Sequence, residues 1–365
     1  LAYSGTVGGL AFDGVGVYAT SEAQDAGEGG NTSGVDGVTV QLAMYNFESI
    51  NISSGVSITI DGNAGIALGS LGDMTIGSNI NVNGSNGSQS ISGQGGSGGE
   101  AGVAGASFDS APPSNNNGDG GRHGGGLDKA VDGKGFGGGY APSAITANNN
   151  GGAGGYGGNG GGDNLTIGGN GSGGTTYGDE ELTLLFGGSG GAGSNAKSNL
   201  YDSSGAGGGG AIELTAVGTL TLSANLNANG GRGNMTTAGT GDKGSGSGSG
   251  GGILLNAEDI VITGVVSAYG GDGRISGTDS SAPGGGGGRI AIYAGNSLTI
   301  DGNDIGDGTL ITDVNVDPSV NVNGGTRGSV ASGEGTLFIS VVPEPATMSL
   351  LALGGIAMLK RRKRA

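Results

Sequence analysis

Aliphatic residues alternate with polar ones in short runs that return in the same order along the chain. In the stretch 208–231 (GGGAIELTAVGTLTLSANLNANGG) three runs follow one another: Ile212 and Leu214, Leu220 and Leu222, then Leu226 and Ala228. The order returns in 251–271 (GGILLNAEDIVITGVVSAYGG), and its first half returns in 286–300. Ile212, Ile253 and Ile290 occupy the same phase, 41 and 37 residues apart. Alternation with a period of two is the mark of a strand with one buried face, and a unit of this length containing several strands points to stacked coils. Ile66, Leu68, Met74, Ile76, Ile80 and Val82 fit the same template. Two or three coils are therefore expected before residue 84.

From 84 to 162 the alternation almost vanishes, and Gly, Asn and Ser dominate, with Pro112, Pro113 and Pro142 interspersed. This stretch is expected to loop out of the stack as a flexible insertion. Strands should resume at Leu165 and Ile167 and at 182–186, with a second glycine-rich excursion over 187–207. Weaker alternation through Leu310, Val314, Val316, Val320 and Val322 precedes a last candidate strand at 336–342. Seven or eight coils follow, a rod on the order of 35 to 40 Å at about 4.8 Å per strand. The expected fold class is all-β, a parallel β-helix or β-solenoid with long Gly-rich loops and a short C-terminal hydrophobic helix.

Composition sharpens this picture at one point and opposes it at another. Gly 94 and Pro 7 among 365 residues lie where disorder is the default, so the periodicity is what argues that some glycine is structural. Few aromatic residues (Tyr 9, Phe 6, no Trp) suit a thin interior of Ile, Leu, Val and Ala. The formal charge is −17, and apart from five terminal basic residues nine Lys and Arg stand against 31 acids. A polyanionic body repels phosphate backbones, so nucleic acid is not an expected partner. With no cysteine, disulfides and thiolate chemistry are excluded. Leu1 onward shows no secretory leader, which is expected to have been removed or to lie outside a fragment.

The chain ends VVPEPATMSLLALGGIAMLKRRKRA from residue 341. Pro343, Glu344 and Pro345 stop regular structure, because each proline lacks a donor and restrains its predecessor. The uncharged run 346–359, with Ala346, Leu350, Leu351, Leu353, Ile356 and Leu359, would extend about 21 Å as a helix, short of the roughly 30 Å hydrocarbon layer. Lys360, Arg361, Arg362, Lys363 and Arg364 follow, and such a cluster is retained on the cytoplasmic side, leaving the preceding body outside. The chain is thus divided into a body, 1–340, and a tail, 341–365.

These tail residues resemble the PEP-CTERM sorting signal of bacterial exported proteins. The resemblance implies recognition of Pro343, Glu344 and Pro345 by an exosortase, transient insertion in the inner membrane, removal of helix and basic tail, and a final place at the surface or in the matrix of a Gram-negative bacterium that makes exopolysaccharide.

Candidate chemistry in the body is sparse. Dinucleotide-type glycine motifs arise by chance at this glycine content, and neither Lys134 nor Lys243 sits in a P-loop. His123 is the single histidine and lies in the insertion. No cofactor is expected. Calcium is considered only at Asp163, in GNGGGDNLT (158–166), which is one residue short of a calcium-binding nonapeptide and occurs once. Asp301, Asp304 and Asp307 are a candidate carboxylate group for a β-helix polysaccharide lyase or glycoside hydrolase, against the simpler alternative of an Asp-Gly turn. The favoured role is non-enzymatic: an adhesin-like or structural spacer whose walls offer Thr215, Thr221, Asn227 and Asn256 to polysaccharide.

Overall fold

The structure is a computed structural model that describes residues 2–7, 10–18, 42–60, 65–88, 130, 132–142, 149–162, 171–194, 203–235, 244–276, 280–306, 318–327 and 330–341. Within them the protein is all-β, and no helix is long and apolar enough to cross a membrane. The strands form three columns of parallel partners. In the first column Leu42–Phe47, Gly65–Ser70, Ala211–Ala216, Gly252–Ile262, Arg289–Ile300 and Thr336–Val341 follow one another in that order. Ile50–Ile52, Met74–Ile76, Thr219–Leu222 and the second halves of the two long strands make the next. Ile80–Asn81, Leu226–Asn227, Val266–Ser267 and Val320–Asn321 make the third.

Registration is residue on residue. Ile253 pairs with Ile212 on one side and Ile290 on the other, and all three are wholly buried. Leu220, Ile260 and Leu298 are aligned in the second column, and Ile80, Leu226, Val266 and Val320 in the third. A slip of one residue would turn each of these rows to solvent, so the shared phase of the aliphatics sets the register. The long strands turn the corner between columns at a bulge, where Glu258 faces both Gly295 and Asn296. Ile253, Leu255 and Ala257 before it, and Ile260 and Ile262 after it, therefore all face inward.

The first column holds six strands, about 24 Å at the usual spacing, shorter than the expected rod. Of the expected strands, 182–186 is a turn, with Leu182 at a φ of 52°. The Asp179 carboxylate holds that turn by accepting from the Thr183 N–H and hydroxyl. Leu165, Ile167, Leu310, Val314 and Val316 lie outside the described residues, as does the C-terminal hydrophobic run.

The larger difference concerns glycine. Of the expected loop, 132–142 and 149–162 are mostly buried whereas 84–88 are half-buried or exposed, and 187–194, 203–210 and 244–252 are buried. Their backbones bond in a pattern that is neither helix nor sheet. From Ser245 to Gly250 the N–H groups donate in turn to the carbonyls of Asn234, Ala192, Pro283, Gly231, Ser189 and Gly286. Every third residue thus returns to the same neighbour. Antiparallel steps of three recur where Gly188, Gly191 and Ser194 donate to Gly209, Ala206 and Ser203, and where Ser204, Gly207 and Gly210 donate to Ser88, Ser85 and Val82. Three residues per turn is the repeat of an extended polyproline II-type helix, which makes no internal hydrogen bonds. Packed side by side, such segments satisfy one another's donors in three directions.

Only a residue without a side chain allows this approach. A Cβ on Gly248 would lie 1.9 Å from the Gly207 carbonyl oxygen, and one on Gly285 would lie 1.8 Å from that of Gly248. Small serines enter where their hydroxyls replace a backbone partner: Ser245 donates to the Ser204 carbonyl at 2.7 Å, and Ser247 to that of Asp272 at 2.8 Å. Over 132–142 and 149–162 the expected flexible insertion is instead a largely buried lattice joined to the strand columns.

Gly248→Ala is expected to lower the unfolding free energy by about 3 kcal/mol, because the backbone of Gly207 and Gly208 that its Cβ would meet cannot readily yield. Gly306→Ala, where a Cβ meets nothing within 4 Å, should stay within about 0.5 kcal/mol. Denaturant unfolding of both variants checks this, and equal midpoints would refute the close-packed lattice.

Candidate functional site

The outer surface of the third column is a grid of asparagines. The triplets Asn79, Asn81, Asn83 and Asn225, Asn227, Asn229 alternate with the inward Ile80, Val82, Leu226 and Ala228, and Asn321 and Asn323 continue the pattern in the last rung. Their oxygens are fixed by the fold. Asn79 Oδ1 accepts from the Asn225 N–H at 2.9 Å, Asn83 Oδ1 from Asn229 at 2.7 Å, and Asn86 Oδ1 from Arg232 at 2.7 Å. One rung further, Asn225 Oδ1 accepts from Val265 at 3.1 Å and Asn229 Oδ1 from Tyr269 at 2.8 Å. Asp272 takes the same position toward Thr326, at 3.0 Å. Each side chain bridges its own rung to the next, and because the oxygen must accept, the amide nitrogen is turned away as a donor. Asn227 uses its nitrogen to reach Asn81 Oδ1 at 2.8 Å.

At the first-rung end the grid borders a cleft of about 440 Å³ between residues 55–58 and Gly77, Ser78, Asn79 and Asn81. Ser78 holds its two walls together, donating to the Ser53 carbonyl at 2.7 Å and accepting from the Val56 N–H at 2.9 Å. At its glycine-ward edge Tyr269 donates to Asp272 at 2.5 Å. Burial, then this carboxylate, raises the Tyr269 phenol. Burial opposes ionisation of Asp272, but the bonds from Tyr269 and Thr326, with Arg232 nearby, hold its carboxyl below the ordinary range.

The four wall residues expected from sequence do not share a surface. Thr215 and Asn256 pair on the first column, with Thr215 donating to Glu213 Oε1 at 2.9 Å. Thr221 lies on the second, between Thr75 and Val261, and Asn227 on the third. Of the asparagine grid only Asn227 was expected from the sequence; the signal for the rest is the recurring Asn-x-Asn-x-Asn triplet, whose outward phase follows from the aliphatics between them.

A second cluster covers the outer face of the first column. Phe136, Tyr156, Tyr177, Leu185 and Phe186 from the glycine-rich segments pack on Ala211, Leu254, Ala291 and Phe338. Tyr156 and Tyr177 stack with centroids 4.6 Å apart, and Phe186 meets Tyr177 edge-on at 5.8 Å. Arg289 locks the cluster. Its Nε and Nη2 donate to the Tyr177 carbonyl at 3.1 and 2.9 Å, Nη2 also to Gly178 at 3.3 Å, and Nη1 to Thr336 Oγ1 at 2.9 Å. The guanidinium lies 5.5 Å from the centre of the Tyr156 ring. The Tyr177 hydroxyl donates to the Gly187 carbonyl at 2.6 Å, whereas that of Tyr156 faces the Phe186 backbone without a well-formed hydrogen bond. Closed to solvent, this cluster fastens the lattice to the column and offers no open site.

Asp301 and Gly302, at φ of 48° and 78°, are the two central residues of a tight hairpin in which Ile300 faces Asn303. That is the geometry of a type I′ turn. The Asp301 carboxylate accepts from the Ser319 hydroxyl, and Asp304 is exposed on the return strand. Asp307, Asp163, His123 and the tail residues from Pro343 to Arg364 lie outside the described residues. Among the described residues no three His, Cys, Asp or Glu side chains gather to hold a metal.

Residues 341–364 match the family model of the PEP-CTERM protein-sorting motif. This supports an exported protein sorted by an exosortase, with a transient membrane anchor before cleavage. No curated protein and no solved structure matches the chain.

Tyr156 and Tyr177 are both raised, chiefly by burial, with the neighbouring ring adding to the rise at Tyr177 and Arg289 opposing it at both. The folded chain therefore binds these protons more tightly than the unfolded one, whose tyrosines titrate near pH 10. Stability is intact below that pH and falls as pH rises above it. In a combined absorbance and circular dichroism titration, these two phenols should ionise only as the β signal is lost. Titration of all nine tyrosines in one phase with the fold intact would contradict the packing.

Proposed function

We propose that this protein is a non-enzymatic β-solenoid delivered to the cell surface or extracellular matrix, where it acts as an adhesin-like structural spacer in contact with exopolysaccharide. The observation that carries this is the junction at Val341. The last strand of the first column, Thr336–Val341, ends where the sorting motif begins. With no spacer between them, the whole stack is presented as one unit when the tail enters the membrane.

In this role Pro343, Glu344 and Pro345 are what the exosortase recognises. The run from Ala346 to Leu359 enters the inner membrane, Lys360 to Arg364 hold it from the cytoplasmic side, and cleavage frees the body, 1–340, toward the envelope of a Gram-negative cell. The acidic balance keeps released rods apart and soluble. A mechanical role suits a body whose donors, aliphatics and buried arginine are already committed to holding rungs together. The turn geometry of Asp301 places it in the same structural category and favours the spacer over glycan cleavage.

Pro343→Ala combined with Glu344→Ala is expected to leave the full-length chain in the inner membrane, while the wild type is shortened and recovered from the surface fraction. Immunoblots of fractionated cells with and without an exosortase read both outcomes. Equal shortening and equal fractionation of the variant would overturn the assignment.

A further inference from the structure

We infer that the asparagine grid on the third column, together with the cleft at its first-rung end, binds an uncharged, hydroxyl-rich polysaccharide chain. The inference rests on the proposed surface role and supplies the place and chemistry of its contact. Three observations converge on the same surface. The first is that its chemistry is biased toward donors: Asn79, Asn83, Asn86, Asn225 and Asn229 each commit the amide oxygen to the next rung, which leaves the amide N–H₂ as the group to offer a ligand, while Asn227 spends its nitrogen on Asn81. Such a surface fits ligands rich in acceptors, as the hydroxyl and ring oxygens of sugars are.

The second is spacing. Parallel strands place equivalent side chains about 4.8 Å apart across rungs and alternate residues about 6.8 Å apart along them. Across the first two rungs donors therefore recur at intervals comparable to the advance of a sugar residue along its chain, and a polymer can engage several at once, whereas the third rung carries Val265, Ser267 and Tyr269 at these positions. Third, Asn79 and Asn81 belong to both the grid and the cleft, whose volume of about 440 Å³ falls in the range that holds small ligands. A chain lying on the grid can seat one residue there. Within the grid Arg232 and Asp272 offset one another, and a chain of net charge −17 disfavours anionic polymers, which selects an uncharged glycan.

The full chain, held in a detergent without sugar head groups, is run in native gels containing dextran, amylose or alginate. Retardation by dextran or amylose and not by alginate is expected. Asn79→Asp, Asn81→Asp and Asn83→Asp together should weaken that affinity by about tenfold or more, since several donors are lost while the bridging oxygens remain. Asp272 already fills such a bridge in the native chain. Asn81→Ser with Asn227→Ser, a row in which Ser267 occurs naturally, should give a smaller loss without disturbing any backbone bridge. Asn256→Asp, exposed on another column, should bind as the wild type does. Failure of both neutral glycans to retard the wild type, alginate binding as strong as theirs, or unchanged binding by both grid variants would each overturn the inference. The assay contains no exosortase, so such a failure leaves the sorting assignment standing, and a sorting failure leaves glycan binding intact.

Discussion

Backbone donors without side chains to shield them are the constraint on which this structure depends. A glycine segment loses more conformational freedom on ordering than any other and gains no side-chain burial in return. Buried, it must also find an acceptor for each N–H. The fold meets both demands by setting such segments side by side, as where 245–250 donate in three directions, at a separation where a Cβ at most of the glycine positions would collide with a carbonyl. Those contacts hold only while something else fixes the segments in register. The strand columns do so, since several lattice segments enter or leave a rung within a few residues of a buried aliphatic such as Val82, Ala228, Ala268 or Val322, and the others bond to these. Lattice and columns therefore stabilise one another.

Aromatic residues make the same connection from outside. Their scarcity fits a thin aliphatic interior, and Phe136, Tyr156, Tyr177, Phe186, Tyr293 and Phe338 gather in one cluster beside Arg289, where the extra glycine segments meet the first column. A buried guanidinium satisfied by three carbonyl contacts and a hydroxyl is costly to disturb in any one part, because each partner would be left unpaired.

The columns were legible because aliphatics such as Ile212, Ile253 and Ile290 carry their own period, and inward phase translates directly into register. The asparagine grid was legible in part: Asn-x-Asn-x-Asn gives the outward phase, but the bridge from Asn79 to the next rung crosses 146 residues of sequence. The lattice was not legible. A run of glycines has no hydrophobic phase to read, and its order comes from which segments lie beside it, a property of the assembled chain. Thr215, Thr221 and Asn227 were separated for a related reason, because the corners that divide one column from the next leave little mark in the sequence.

For an exported protein the arrangement has a functional consequence. Resistance to local opening is distributed along the whole body, while the surface left over is a repeated display of amide groups whose orientation the fold itself maintains. Amide hydrogen exchange on the intact protein tests this most directly. If the glycine segments are a hydrogen-bonded lattice, 187–194, 244–252 and 283–288 exchange as slowly as the strand residues Ile253 to Leu255 and open together with them. Exchange of those segments at the rate of an unstructured chain, with protection confined to the strands, would contradict it.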